Sequence, residues 1–215
     1  MVFLARQAFG FAADVALRGA TAQEAQSGRS NYPATGLLWT RGLTAYGAGD
    51  HATACDLFAA EAEYAQKLDS VYARESRVVA CNSLGFALLA DAHYDAARDA
   101  FASALQASPD RARARMGIGL AEAAGAATAS LSDVVTSVSA RLEAGGQPVE
   151  QALVLSAAAA WSGEPSVALQ HADRLLAMTP DDSSGWSLPA DPMFAPLRRA
   201  DGYARLAARL AARAA

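Results

Sequence analysis

Apolar residues recur along most of the chain with the spacing of one helix face, and no stretch alternates apolar and polar residues between hairpin turns. That period belongs to the α-helix rather than the strand. Ala and Leu fill most of these positions, and both favour helix. The pattern predicts helices over residues 3–18, 35–48, 50–67, 70–90, 93–107, 111–124, 131–143, 149–161, 165–178 and 202–214. Breaks fall at Ser27-Gly28, Gly47-Ala48-Gly49, Gly145-Gly146-Gln147-Pro148 and Thr179-Pro180, where the residue types are those of turns and helix ends. The loops are short and the helices come in pairs, which predicts antiparallel hairpins stacked in a row.

One stretch is more specific. Residues 81–109 read CNSLGFALLADAHYDAARDAFASALQASP. Leu84-Gly85, Leu88, Tyr94, Ala97, Phe101, Ala104 and Pro109 stand there at the spacing of the tetratricopeptide repeat, which this stretch strongly resembles. Cys81 takes the place of the pattern's Trp, and Leu88 that of its Tyr. Each position has a physical reason. Gly85 lets two helices approach closely, Ala97 is the small residue at the crossing, Tyr94 and Phe101 fill the space between the pair, and Pro109 closes the unit.

Other units match more loosely. Gly42, Gly49, Ala54 and Phe58 repeat the mutual spacing of Gly85, Ala92, Ala97 and Phe101 at an offset of 43 residues, longer than the ~34 of the basic repeat. This is similar to the longer variant found in kinesin light chains and bacterial regulators. A third unit opens with Ile118-Gly119 and is lost in a Ser/Thr-rich stretch; a fourth reads Leu155, Gly163, Ala168 and Pro180. The resemblance covers Thr35 to Pro180. It implies an all-α, right-handed α-solenoid of stacked antiparallel helix pairs. Residues 1–33 would form an N-terminal helix and linker packed on the array, 34–180 the repeats, and 181–215 a capping segment with a C-terminal helix.

The resemblance also implies a function. In the family the first helix of each pair lines a concave groove that binds other proteins. Carried over residue by residue, that surface comprises Val79, Asn82, Phe86 and Leu89 in the strongest unit. It comprises Trp39, Leu43 and Tyr46 in the first unit, and Arg113, Met116 and Leu120 in the third. Leu153 and Trp161 would face in from the fourth. The lining is mostly apolar and aromatic, as interface anchors are. The expectation is a non-catalytic interaction module or adaptor that holds an apolar or amphipathic helical peptide of another protein. The family's carboxylate-clamp version needs Lys and Asn at several of these places, and only Asn82 and Arg113 qualify. Two alternatives stand beside it: a sensory or regulatory domain of a bacterial transcriptional or signalling system, and an accessory subunit of an enzyme complex. A packing alternative has the helix from Phe3 to Val15 folded into the groove.

Composition narrows the classes. Hydrophobic residues make up 53% of the chain and charged ones 19%, too apolar for disorder. No run reaches the ~18 apolar residues of a membrane span. A net charge of −4 gives no pull toward nucleic acid or an acidic membrane surface. Cys55 and Cys81 lack paired spacing and read as small buried side chains, which fits a reducing, cytoplasmic setting. There is no phosphate-binding loop, zinc-protease or nucleophile-elbow motif. His51, His93 and His171 lack metal spacing, and Asp181-Asp182 reads as a cap or turn. No cofactor, metal or catalytic residue is expected.

The ends of the chain carry two further readings. Met1 to Ala22 has a faint signal-peptide look, with Ala20-Thr21-Ala22 as a cleavage-like site, but Gly10 and Asp14 interrupt it. It reads instead as an amphipathic helix with Leu4, Ala8, Phe11 and Val15 on one face. The tail WSLPADPMFAPLRRADGYARLAARLAARAA resembles the closing segment of repeat arrays in bacterial signalling proteins. Asp191-Pro192 and Asp201 read as helix starts, Tyr203, Leu206 and Leu210 as a capping face, and Arg205, Arg209 and Arg213 as a solvated stripe.

Overall fold

The computed structural model describes residues 1–26, 35–125, 131–180 and 185–214, and no strand occurs among them. The helices are α1 Val2–Ala5, α2 Phe9–Gln26, α3 Leu37–Gly47, α4 His51–Gln66, α5 Val71–Ala90 and α6 Tyr94–Ala107. They continue as α7 Ala112–Ala124, α8 Leu131–Ala144, α9 Pro148–Trp161, α10 Pro165–Met178 and α11 Tyr203–Arg213. The Ser27-Gly28 break, the rest of the linker to residue 34, and Asp181-Asp182 lie outside the described residues.

Local chemistry sets several helix starts. The Asp50 carboxylate accepts the Thr53 N–H at 3.1 Å, and the Ser70 hydroxyl accepts the Ala73 N–H at 3.0 Å. Pro148 and Pro165 open α9 and α10, where a missing N–H costs nothing. The start of α3 is capped from a distance. Glu61, buried on α4, accepts the N–H groups of Gly36 (2.8 Å), Leu38 (3.1 Å) and Trp39 (3.4 Å) and the Ser76 hydroxyl (2.5 Å). One carboxyl thus ties α3, α4 and α5 together and answers the open donors of a helix N-terminus.

Helices adjacent in sequence pack against each other from α2 to α10. A phenylalanine ring over a glycine recurs at their crossings. A Cβ on Gly42 would lie 2.5 Å from the Phe58 ring, and one on Gly85 2.6 Å from Phe101. A Cβ on Gly117 would also overlap the Phe101 ring, so a single ring fills the space among α5, α6 and α7. In the fourth pair Ser156 stands at the place of Gly85, and its hydroxyl donates to the Ala168 carbonyl at 2.8 Å. That buried bond replaces the glycine contact.

Both ends depart from the sequence-based expectation. The expected helix over residues 3–18 is broken after α1, where Gln7 takes a φ of 56°. The break shifts the helical phase. Leu4 and Ala5 are buried from α1, whereas α2 turns its small residues Ala12 and Ala16 inward and leaves Phe11 and Val15 exposed. The face Leu4-Ala8-Phe11-Val15 therefore does not form, and α2 continues through Ala20-Thr21-Ala22.

At the other end, residues 185–202 do not simply cap α10. They form turns and two short 3-10 helices, Pro192–Phe194 and Leu197–Arg199, and Pro192–Phe194 packs on α5 and α9. Leu188, Met193, Phe194 and Leu197 are buried in the core cluster of α5–α10, while Ala190 is buried in the second cluster, with α1–α4. This return segment contributes buried residues to both clusters. The Asp191 side chain starts its first turn by accepting the Met193 N–H at 3.0 Å, as Asp191-Pro192 leads one to expect. Helix α11 buries Leu206 and Leu210 and packs on both α10 and α1, bringing the two ends of the chain together. Its arginine stripe is held down by α10: Arg205 (3.5 Å) and Arg209 pair with Asp173, and Arg213 donates to the Thr179 carbonyl at 2.8 Å.

Candidate partner-binding site

Helices α3, α5, α7 and α9 present side chains to a common space, and the return segment covers part of it. Between them lies a cavity of about 420 Å³. Trp39 enters from α3; Val79, Asn82 and Phe86 from α5; Arg113 from α7; Glu150 and Leu153 from α9. The return segment supplies Trp186, Asp191, Met193 and Phe194 as the facing wall.

Six of the twelve residues that the repeat resemblance assigns to the groove meet here: Trp39, Val79, Asn82, Phe86, Arg113 and Leu153. The other six do not line this cavity. Leu43 and Met116 are wholly buried in the core. Tyr46 is buried beneath the return segment, its ring parallel to the His51 imidazole at 4.3 Å, with the Arg198 guanidinium 5.0 Å from its centre. Burial pushes the Tyr46 phenol up to about 12; Arg198 opposes the shift and Asp91 adds to it. Leu89 and Leu120 border a second cavity of about 350 Å³, with Tyr94, Leu131 and Trp161. Trp161 is anchored by an N–H bond to the Met193 carbonyl at 2.9 Å.

The chemistry of the main cavity is polar at its base and aromatic above. Arg113 grips Glu150 with two parallel bonds, Nε to Oε1 at 2.8 Å and a terminal nitrogen to Oε2 at 2.7 Å. Burial works against the guanidinium charge, and the Glu150 carboxylate more than restores it, so the Arg113 pKa lies above the usual arginine value. Asp191 is pushed the other way. Its burial raises the carboxyl pKa, against the pull of Arg113, the Met193 N–H and Arg198. The Trp39 indole N–H donates to the Ser83 hydroxyl at 2.9 Å, and its ring meets Trp186 edge-on at 6.0 Å. The Asn82 side-chain oxygen is buried and has no hydrogen-bond partner.

Sequence reasoning missed Glu150 and the whole facing wall. A signal was present: a turn-rich tail carrying Trp186, Leu188, Met193, Phe194 and Leu197 is too apolar for a solvated loop. The N-terminal helices, the alternative occupant, do not line this cavity, but Leu4 and Ala12 share a core cluster with Leu43 and Tyr46, with Trp39 packed against it.

Among the described residues there is no cluster of three or more His, Cys, Asp or Glu placed to hold a metal, and no helix long and apolar enough to cross a membrane. Both cysteines are free thiols whose pKa burial raises. Against known proteins, the chain matches no family model and no curated sequence.

Proposed function

We propose that this protein is a non-catalytic binding module of the tetratricopeptide type, an adaptor that seats a short segment of a partner protein in its concave cavity. The observation that carries this reading is convergence. Residues from four helices, assigned to one surface by repeat position alone, share one cavity with Trp39, Phe86 and Trp186 in its lining. Its volume lies in the range of specific ligand sites. The return segment covers part of the lining and supplies one wall of the site that the occupant meets.

The test is a random-peptide selection against the full chain, followed by affinities for Asn82→Ala and Trp39→Ala. Enriched peptides should bind wild type and lose roughly tenfold in affinity with either variant, as for an interface anchor worth about 1–3 kcal/mol. Absence of enrichment, or peptides indifferent to both substitutions, would remove the cavity as the binding site.

A further inference from the structure

The charges around the main cavity are balanced among themselves. Arg113 grips Glu150, Arg111 holds Glu75, and Asp110 pairs with Arg141 at 2.6 Å. Asp191 lies in the field of Arg113 and of Arg198. A charged occupant of either sign therefore meets no unpaired opposite charge, and it gives up its own hydration on entry. What the cavity leaves open is neutral donors. Asn82, 7% exposed, borders it from α5. The side-chain oxygen is sealed inside without a partner, so the amide reaches the cavity through its nitrogen, which has no acceptor among the described residues. The starts of α7 and α9 open on the same space through Arg111, Ala112 and Gln147. Glu61, Asp50 and Ser70 cap the starts of α3, α4 and α5, whereas α7 and α9 have no side-chain cap. Their first N–H groups are left without acceptors among the described residues. Trp39 and Trp186 set an aromatic wall beside these donors.

Resting on the partner-binding reading of this cavity, we propose that its occupant is an uncharged internal stretch of a partner chain, whose backbone carbonyls accept from the Asn82 amide and the open N–H groups of α7 or α9 while an apolar side chain lies on Trp39 and Trp186. A peptide carbonyl supplies the acceptor these donors lack and brings no charge. A free chain end does not match. A C-terminal carboxylate would be added beside Glu150, in the first turn of α9, and Asp110, just before α7, which already place negative charge at both helix starts. An N-terminal ammonium brings further donors to a site that has donors to spare and no unpaired acid. The site therefore selects the middle of a chain over its ends.

Three fragments of one size separate the possibilities. N-acetyl-leucine N-methylamide is neutral, N-acetyl-leucine carries a free carboxylate, and leucine N-methylamide a free ammonium. Each is titrated into the full chain and read by tryptophan fluorescence and calorimetry. The neutral fragment should saturate with a Kd of ~10 mM or tighter, as its size permits. The two charged fragments should bind about fivefold more weakly or worse. Asn82→Leu keeps the side-chain size and removes the donor, so it should weaken the neutral fragment roughly fivefold. It should also leave the melting temperature equal or raised, because it takes a partnerless amide out of the interior. If Asn82→Leu does not fold, Asn82→Ala takes its place. No saturation by the neutral fragment, equal or tighter binding of either charged one, or binding indifferent to the loss of Asn82 overturns the proposal. If peptides selected against the full chain bind only through a free terminus or a charged side chain, the binding-module reading stands and the uncharged internal ligand falls. If none is enriched, both fall.

Discussion

Two buried carboxyl residues show how differently the interior treats the same chemistry. Glu61 is surrounded by donors, three from the start of α3 and one from Ser76. Removing it leaves those donors without an acceptor away from water. Glu61→Ala should cost about 2–4 kcal/mol in urea denaturation, and Glu61→Gln less, because the amide keeps one acceptor oxygen. Equal stability of all three proteins would mean that α3 is capped by other groups. Asp191 accepts one backbone bond and is otherwise buried, so its pKa is raised. The sign follows from proton linkage: a raised carboxyl pKa means the folded state binds its proton more tightly than the unfolded chain. The acid's contribution is present below its unfolded pKa and is lost as pH rises through the higher folded value. Asp191→Asn removes that dependence and keeps the acceptor for Met193. The stability of Asp191→Asn relative to wild type should therefore improve as pH rises from the acid range to neutrality. A difference that stays flat with pH would show that burial does not govern this group.

At the scale of the element, the array is built from one repeated contact, a phenylalanine ring over a glycine backbone. Phe58 with Gly42 and Phe101 with Gly85 and Gly117 let neighbouring helices approach to backbone distance, and a Cβ at any of these glycines would overlap the ring. Gly85→Ala should cost about 1–3 kcal/mol, as overpacking of a tight crossing does. Phe101→Leu, which shortens the ring side, should recover part of that loss in the double variant, a coupling that independent sites do not show. Additive losses in thermal melts would place the two residues in separate environments. The motif at residues 81–109 was readable because this contact needs a small residue and a large one at fixed helical spacing. The fourth pair matches the pattern only loosely, because Ser156 meets the same crossing with a hydrogen bond.

At the scale of the whole molecule, the return segment is the deciding feature. It places Leu188, Met193, Phe194 and Leu197 in one core cluster and Ala190 in the other, so the faces of α5 and α9 that it packs on are interior. Phe86 meets Phe101 at 4.8 Å and is 1% exposed; Tyr46 is 2% exposed. Phe86→Ala and Tyr46→Ala should each cost about 3–5 kcal/mol of stability, the range for a buried aromatic. Trp39 borders the cavity and keeps part of its surface in solvent, so Trp39→Ala should cost less stability than either while weakening ligand binding. Melts of the three single variants check this order. Unchanged melting temperatures for Phe86→Ala and Tyr46→Ala would mean that the return segment does not cover them in solution.

What the sequence determined by itself is local. Helix identity followed from the period of the apolar residues, helix pairing from short loops, and the tightest crossings from Gly42, Gly85, Phe58 and Phe101. All of these depend on residues close in the chain, or on a contact repeated at a fixed interval. What only the tertiary structure decided is how the two ends of the chain meet the array. A turn-rich segment has no periodicity to show what it covers, so the burial of Leu188, Met193 and Phe194 against helices far away in sequence left only an unexplained apolar composition to read. The same holds for Glu61, whose partners at Gly36 and Leu38 lie 25 and 23 residues away. It holds again for the phase of α2, which a single residue, Gln7 at positive φ, resets. Repeat position could say which residues point inward. It could not say whether they meet a partner or the chain's own tail, because that depends on where the tail returns, and the return is held by packing rather than by any local pattern.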